Sequence, residues 1–366
     1  MTLLRQRAAQ GGPPANALTS GQLPRFAEIS IIGGSAVASG LVLMLLGFNL
    51  VGWLVLTAVV YLVVLGVLSS IVENRRKATD RLVRGTVTVA FLLAIVPLVS
   101  TLYTVVSRGI SSLTLEFITQ SRSSSFNADT LEVTNTPGAL QAIVGTLIIT
   151  GIAALISIPI GLFTSIYIVE YSLPGSWLAR TVTMLVDVMT GIPSIVAGLF
   201  AFSLFSIIMG PQAFSGFSAA VALSVLMIPT VVRSCEEMLR LVPNDLREAS
   251  LALGVSKFST IVRIVLPTAI AGIVTGIMLS IARVIGETAP IFMAASFTDN
   301  FNANPFDGPM QTLPVMAYTG FAFPGPDIQA SNNSAWGAAL LLVLLVVLLN
   351  LIARIVARVF APKGSR

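Results

Sequence analysis

Long runs of apolar residues occupy most of this chain, and their length limits the folds that it can adopt. A helix needs about 20 consecutive apolar residues to cross the hydrocarbon core of a bilayer. Eight runs approach or exceed that length, at residues 29–48, 50–72, 85–106, 139–169, 181–209, 217–239, 268–296 and 335–357. Only 10% of the residues are charged, whereas soluble proteins carry about 25%. The sequence therefore predicts an all-α integral membrane protein and excludes a soluble enzyme.

Missing residue types exclude several kinds of site. The sequence has no histidine, so histidine-based catalysis and a histidine-ligated metal are excluded. Its single cysteine, Cys235, leaves no intrachain disulfide and no thiolate metal cluster. No lysine follows the Gly-x-x-x-x-Gly spacing of a phosphate-binding loop. We therefore predict no metal, no cofactor and no catalytic residue, and any ATP must be held by another subunit.

The distribution of basic residues predicts the orientation of the chain in the membrane. Cytoplasmic loops of membrane proteins carry an excess of lysine and arginine. With the N-terminus inside, 18 of the 21 basic residues fall in cytoplasmic segments. Both termini are therefore predicted to be cytoplasmic, and the net charge of +5 anchors the chain rather than binding nucleic acid.

The predicted spans divide the chain into five parts. These are a polar, disordered cytoplasmic tail at 1–28, an extra transmembrane hairpin at 29–72, a basic cytoplasmic linker at 73–84, a transmembrane domain at 85–360 and a cytoplasmic tail at 361–366. Almost no loop separates the first two spans, so they form either a tight hairpin or one broken segment.

The segment 243–267, which we call the elbow, has the signals of two short helices. Asn244 is predicted to be the N-cap of the first helix. Gly254 predicts a left-handed stop, after which Ser256 caps a second helix that Pro267 ends or kinks. From the pattern alone, the elbow is either an ordinary loop or a rigid unit that transmits force from a partner.

The spacing within the elbow resembles the EAA loop of ABC importer permeases. The residues that align with the family pattern are Glu248, Ala249, Ser250, Gly254, Ile264, Leu266 and Pro267. The one departure is Ser250, which stands where the family has alanine, another small residue. The resemblance implies that this segment docks into a groove on an ATP-binding subunit.

Two charged residues, Arg283 and Glu287, fall within the predicted span 268–296. A charge near the centre of a bilayer costs about 2.5–3.5 kcal/mol on insertion scales, so each charge needs a reason. Their i, i+4 spacing places them on one helical face with Ser280, where they can pair with each other or contact a substrate. The group is either a structural ion pair or part of an oxyanion pathway, since the planar guanidinium matches phosphate geometry.

Two prolines are predicted to disturb membrane helices. Pro290 lacks the N–H that would bond the carbonyl of Gly286, so the helix beside the charged pair should loosen. Pro193, close to Gly191, predicts a second kink. Asp187 lies near this kink and is either a pathway residue or the partner of a nearby arginine.

Three stretches together resemble the PstA family of phosphate ABC importer permeases. They are residues 191–196, 243–254 and 282–290, and the resemblance covers about 85–360. It implies a type I importer fold of six spans in the bacterial inner membrane, to which the hairpin at 29–72 is added. It also implies that phosphate passes Arg283, Glu287, Ser280 and Thr288.

The resemblance further implies a complex with defined partners. These are a second permease resembling PstC, two ATP-binding subunits resembling PstB, an external phosphate-binding protein resembling PstS, inorganic phosphate and membrane lipid. ATP would be hydrolysed by the partner subunits, and phosphate would cross by alternating access. The alternatives are a permease for sulfate or molybdate, and a membrane scaffold or sensor subunit without a pathway.

Overall fold

The computed structural model describes residues 23–24, 26–73, 75–127, 132–173, 175–210 and 213–360. The helices are α1 (Ala27–Leu46), α2 (Leu50–Val72), α3 (Arg75–Gly109), α4 (Leu115–Thr119), α5 (Leu140–Ile166), α6 (Trp177–Thr190), α7 (Ser194–Met209), α8 (Gly216–Arg240), α9 (Asn244–Ala252), α10 (Lys257–Thr260), α11 (Leu266–Val284), α12 (Ala289–Ala295), α13 (Leu313–Ala322) and α14 (Ile328–Phe360). Strands β1 (Ser123–Asn127) and β2 (Glu132–Thr136) pair antiparallel as a hairpin. Most of the predicted tail 1–28 and all of the tail 361–366 lie outside the described residues.

The predicted all-α membrane fold is confirmed. Seven helices among the described residues are long and apolar enough to cross a membrane, and the bent pair α6–α7 makes up to eight. Contacts within the chain group its residues into two compact units, Met1–Leu102 and Tyr103–Arg366. The boundary between the two units lies inside α3. The basic segment 73–84, predicted as a cytoplasmic linker, is helical from residue 75 onward and forms the first turns of α3.

The first unit contains the tight hairpin of α1 and α2. Asn49 caps α2 by accepting hydrogen bonds from the N–H groups of Val51 and Gly52, and the indole N–H of Trp53 donates to the carbonyl of Ala36 at 2.8 Å. These contacts satisfy polar groups that would otherwise be stranded among apolar side chains.

A charged cluster closes the end of α2 in the same unit. The guanidinium of Arg81 lies 2.7 Å from an oxygen of Glu73 and 2.8 Å from one of Glu28. The carboxylate of Glu73 also accepts hydrogen bonds from the N–H of Leu23 at 2.9 Å and the hydroxyl of Ser69 at 2.8 Å. This carboxylate is almost fully buried and is satisfied by three donors.

The core of the second unit is centred on α8, which packs along α5. Fully buried positions of α8 include small residues such as Ala219 and larger ones such as Leu223 and Met227. Gly161 of α5 approaches α8 so closely that a Cβ there would lie 2.6 Å from a methyl of Val231. Small residues permit this approach, which supplies the van der Waals contact that holds membrane helices together.

Two of the predicted spans are interrupted. The run 181–209 splits at Gly191 into α6 and α7, which are bent by 104°. Pro193 is the N-cap residue of α7 and has a non-helical ψ of 135°, so the break follows from a residue that cannot continue a helix.

The second interruption corrects the prediction of a single loosened helix over 268–296. α11 ends at Val284, and α12 starts at Ala289 with Pro290 in its first turn. A continuous helix would place the proline ring against the carbonyl of Gly286. Ending the helix first removes this clash, and a proline in the first turn needs no N–H partner.

Candidate functional site

A cavity of about 180 Å³ lies in the second unit where both helix breaks meet α8. Its lining residues are Met189, Thr190, Ile192, Ser194, Leu226, Pro229, Thr230, Arg283, Val284 and Glu287. The two charged residues singled out from the sequence, Arg283 and Glu287, therefore line the same space. The three hydroxyl residues come from α6, α7 and α8, so four separate segments of chain converge here.

Arg283 and Glu287 do not pair with each other, although their spacing would allow it in a continuous helix. Arg283 lies in the last turn of α11, whereas Glu287 follows the end of that helix and its N–H donates to the carbonyl of Val284 at 3.1 Å. The i, i+4 spacing does not bring the side chains together, because the helix ends before Glu287. Within the described part of the chain neither residue forms an ion pair, although both line the cavity.

The other two predicted pathway residues lie beside the cavity lining rather than in it. Ser280 is buried, and its hydroxyl donates to the carbonyl of Gly276 at 2.9 Å. Thr288 occupies the position before α12, where its carbonyl accepts the N–H of Phe292 at 2.9 Å.

The three hydroxyl groups that line the cavity differ in whether they already donate a hydrogen bond within their own helix. Thr190 donates to the carbonyl of Val186 at 2.9 Å, and Thr230 donates to that of Met227 at 2.7 Å. Such bonding within a helix is the common state of these side chains. Ser194 has no hydrogen-bond partner among the described residues. An anion in this cavity would therefore be met by Arg283 and by the hydroxyl of Ser194.

A cluster of charged side chains extends from the cavity along α8. Arg233, one turn beyond Thr230, pairs with Asp187 and with Glu236, the latter at 2.9 Å. Arg240 reaches the other oxygen of Glu236 at 2.8 Å. Of the two interpretations of Asp187, the structure therefore supports the partner of a nearby arginine.

The elbow is two helices joined by a glycine turn, as the sequence predicts. Gly254 has a φ of +78°, which favours glycine, and Ser256 caps α10 by accepting the N–H of Ser259. Asn244 is the first residue of α9 and not its cap. Pro267 does not end the second helix, because α10 continues through the π turn Ile261–Val265 into α11.

The EAA-like residues divide between the surface and the interior of the elbow. Glu248, Ala249 and Gly254 are exposed, as is Pro267, whereas Leu266 is half-buried. Ser250 is 4% exposed, and its hydroxyl lies 2.9 Å from that of Thr260. The side chain that departs from the family pattern therefore joins the two helices of the elbow.

Sequence reasoning missed the ion pair between Arg247 of the elbow and Glu170. The two side chains approach to 2.8 Å, although 77 residues separate them. The only available signals were an arginine beside the EAA-like motif and a single acid just past the apolar run 139–169. Neither signal identifies its partner.

The larger part of the chain is similar to known protein families. Residues 157–366 match the family model described as the binding-protein-dependent transport system inner membrane component. The phosphate transport system permease protein PstA 1 of Mycobacterium tuberculosis (strain CDC 1551 / Oshkosh) is 45% identical over 70% of this chain and 81% of its own length. PstA of Haemophilus influenzae is 36% identical over 74% of this chain and 90% of its own length.

Solved structures agree on the fold. A chain of the MetNI methionine ABC transporter in an inward-facing conformation aligns with a TM-score of 0.50 and 23% identity, over 61% of this chain and 96% of that one. A chain of a bacterial alginate ABC transporter aligns with a TM-score of 0.54 and 12% identity, over 78% of this chain and 97% of that one. These likenesses confirm the predicted type I ABC importer fold.

Proposed function

Because this chain belongs to the PstA family of binding-protein-dependent transport permeases, we propose that it is the membrane-spanning permease subunit of an ATP-driven importer of inorganic phosphate. The observation that supports phosphate as the substrate is the 45% identity to a phosphate permease over 70% of this chain. The size of the cavity and the side chains that line it agree with a small anion such as phosphate. Its volume of about 180 Å³ is small, since pockets for drug-sized ligands measure about 300–1,000 Å³.

Arg283 is the residue that contacts phosphate in this proposal. Its guanidinium presents a planar set of donors that matches an oxyanion in two-point geometry. Among the described residues it has no carboxylate partner, so an entering anion need not displace one. Glu287 lines the same cavity and repels an anion, which keeps residence short. A permease needs binding that is favourable enough to enter and weak enough to leave.

The broken helices support passage by alternating access. Gly191 and Pro193 lie at one break, and Gly286 and Pro290 lie at or beside the other. Both breaks border the cavity, so rotation about them changes its exposure to either side of the membrane. Discontinuous helices at a substrate site are a recurrent feature of transporters.

The elbow supplies the coupling to ATP in this proposal. Its exposed face carries Glu248 and Ala249 together with the apolar side chains Leu246, Leu251 and Leu253. Such a face fits a groove on an ATP-binding subunit resembling PstB, of which the complex holds two. The permease itself carries no ATPase site, and a PstC-like permease and a PstS-like external protein complete the assembly.

The distribution of basic residues supports an inner-membrane protein with both termini in the cytoplasm. In that orientation the elbow faces the cytoplasm, where ATP is available. The five-part division of the chain also belongs to this proposal. The hairpin of α1 and α2 is then an addition to the six-span permease core, and two added spans leave the orientation of the core unchanged.

Uptake of labelled phosphate tests the pathway. Cells that lack their own importer would carry this chain with its partners, and Arg283→Gln would be compared with Arg180→Gln, an exposed arginine without a described ion pair. We expect Arg283→Gln to assemble with the ATP-binding subunit but to lower uptake by about tenfold or more, since a charge-assisted hydrogen bond contributes about 1.5–3 kcal/mol. Arg180→Gln should transport normally.

The alternatives predict different results in the same cells. Uptake of sulfate or molybdate in place of phosphate would identify another oxyanion permease. Normal uptake by Arg283→Gln would place the substrate path elsewhere. Persistent assembly with no transport of any oxyanion by the unmodified chain would favour the scaffold or sensor.

A further inference from the structure

The end of α5 is held by both helices of the elbow. α5 ends in a five-residue π turn, Tyr167–Tyr171, in which the N–H of Ser172 donates to the carbonyl of Tyr167 at 2.9 Å. Glu170 of this turn accepts two hydrogen bonds from Arg247 of α9, at 2.8 and 3.1 Å. Next to it, the amine of Lys257 in α10 lies 5.3 Å from the centre of the Tyr171 ring. We call these four side chains the clasp.

Arg247 is the centre of the clasp because its other donors are also engaged. They reach the carbonyls of Val242 at 2.6 Å and Leu239 at 2.9 Å, beyond and within the last turn of α8. One further contact, to the side-chain oxygen of Asn244 at 3.2 Å, lies within α9. One guanidinium therefore joins three elements: the π turn after α5, the end of α8 and α9.

Burial makes this contact more than a surface ion pair. The side chains of Arg247 and Glu170 are 16% and 7% exposed. Exposed pairs contribute little because water screens them. A largely buried pair is different, since removal of one partner leaves the other charge without compensation. Separating Glu170 from Arg247 therefore costs more than separating an exposed pair.

The clasp borders a cavity and is not surrounded by a close-packed core. A cavity of about 470 Å³, lined by Glu170, Arg240, Arg247 and Lys257 among others, lies between the elbow and the π turn. The elbow is therefore not pressed onto α5 at this place through a close-packed apolar surface. Two polar contacts bridge the gap and can carry displacement along it.

We propose that the clasp is a second route by which the elbow moves the membrane helices, an inference that rests on the proposed transport function. The first route is covalent, because α10 continues into α11 and so to Arg283. The second runs from α9 through Arg247 and Glu170 to α5, which packs along the cavity-lining helix α8. With both routes intact, displacement of the elbow moves both sides of the cavity together. Glu170 and Arg247 are positioning residues that do not touch phosphate.

The test measures phosphate uptake and ATP hydrolysis together in proteoliposomes that contain the whole complex. The variants are Glu170→Gln and Glu170→Asp, with Glu237→Gln as a control, because Glu237 is exposed on α8 and has no described ion pair. We expect Glu170→Gln to assemble, to keep hydrolysing ATP and to import at least about fivefold less phosphate per ATP, the lower end of typical couplings between sites. Glu170→Asp should recover part of the ratio, and Glu237→Gln should match the unmodified chain.

Tyr171→Leu provides a second, milder variant, because Tyr171 is 45% exposed and its loss does not open the core. It removes the ring contact and keeps the ion pair, so the ratio should fall by less than in Glu170→Gln. An unchanged ratio in Glu170→Gln overturns the proposal. So does loss of assembly in both Glu170 variants, which would make the pair a folding contact.

Failure of phosphate transport is distinguishable from failure of the clasp. If the unmodified complex imports no phosphate, the proposed substrate is wrong. The clasp is then judged by how strongly the external binding protein stimulates ATP hydrolysis. Loss of that stimulation in Glu170→Gln alone supports the clasp, and equal stimulation in both complexes overturns it.

Discussion

The arginine of the elbow and the arginine of the cavity differ in their hydrogen-bond partners. Arg247 in the elbow donates five hydrogen bonds to the groups around it. Arg283 forms no ion pair or hydrogen bond with any described residue, although it lines a cavity with a carboxylate in it. A cation with fixed partners holds elements in place, whereas a cation without them is available to a passing anion. In the proposed function, this difference separates the part of the molecule that transmits force from the part that meets substrate.

The largest effect is expected where the elbow turns. Proline cannot adopt the φ of +78° found at Gly254, so Gly254→Pro should separate α9 from α10. We expect transport to fall by about a hundredfold or more, because a proline placed where the backbone cannot accept it costs about 3 kcal/mol or more. Phosphate uptake and pull-down of the ATP-binding subunit measure the two consequences.

Gly254→Asn is the matched control, since asparagine tolerates a left-handed backbone better than other residues. It should retain most of the transport. If Gly254→Pro transports as well as Gly254→Asn, the turn is not required and the elbow is not a rigid unit.

A smaller effect is expected in acid, at the paired carboxylate of the first unit. Burial raises the pKa of Glu73, but hydrogen bonds from Leu23, Arg81 and Ser69 and the charge of Arg81 outweigh burial and hold the pKa below its ordinary value of 4.5. A carboxyl with a lowered pKa contributes stability above its ordinary pKa, and the contribution disappears as pH falls through the lowered value. Thermal stability should therefore fall below about pH 4.5.

Glu73→Gln should remove this part of the acid dependence and lower stability at pH 7 by about 1.5–3 kcal/mol, the range for hydrogen bonds to charged groups. Asp80→Asn is the control, because Asp80 is exposed and has no described partner. Thermal unfolding of the purified protein in detergent between pH 3 and 8 measures both. An acid dependence that survives Glu73→Gln in full would show that another group causes it.

The smallest effect is expected at Ser250, which departs from the EAA pattern. Ser250→Ala removes the contact with the hydroxyl of Thr260, which still donates to the carbonyl of Ser256 at 3.2 Å. The loss should be about 1 kcal/mol or less, as for a typical neutral hydrogen bond. Thermal unfolding of Ser250→Ala, Thr260→Val and the double variant isolates the coupling between the two side chains. A large loss in Ser250→Ala alone would mean that the serine, not the small size of the residue, is required.

The sequence was informative where a local pattern determines the structure. Apolar runs predict the spans, and Gly254 and Ser256 predict the turn of the elbow, because length, φ preference and capping act over a few residues. The same reasoning placed Arg283 and Glu287 close together, and both residues line one cavity, although they form no ion pair there.

Sequence reasoning failed where the result depends on distant or competing residues. The pairing of Arg247 with Glu170 depends on how α5 packs, which no local pattern contains. At Glu287 the helical spacing competed with Pro290, and the proline prevailed by ending α11 at Val284. The i, i+4 rule applies only within a continuous helix.

The two helix breaks also bear on hydration. Each break leaves backbone N–H and C=O groups without the partners that a continuous helix would supply. In a bilayer such groups are tolerated only where they are buried in protein or face water. Because both breaks border the cavity of Arg283, water would enter there and solvate the guanidinium, which lowers the cost of holding a charge at membrane depth. Hydration through the helix breaks would thus place a polar medium around a cation that lipid would exclude.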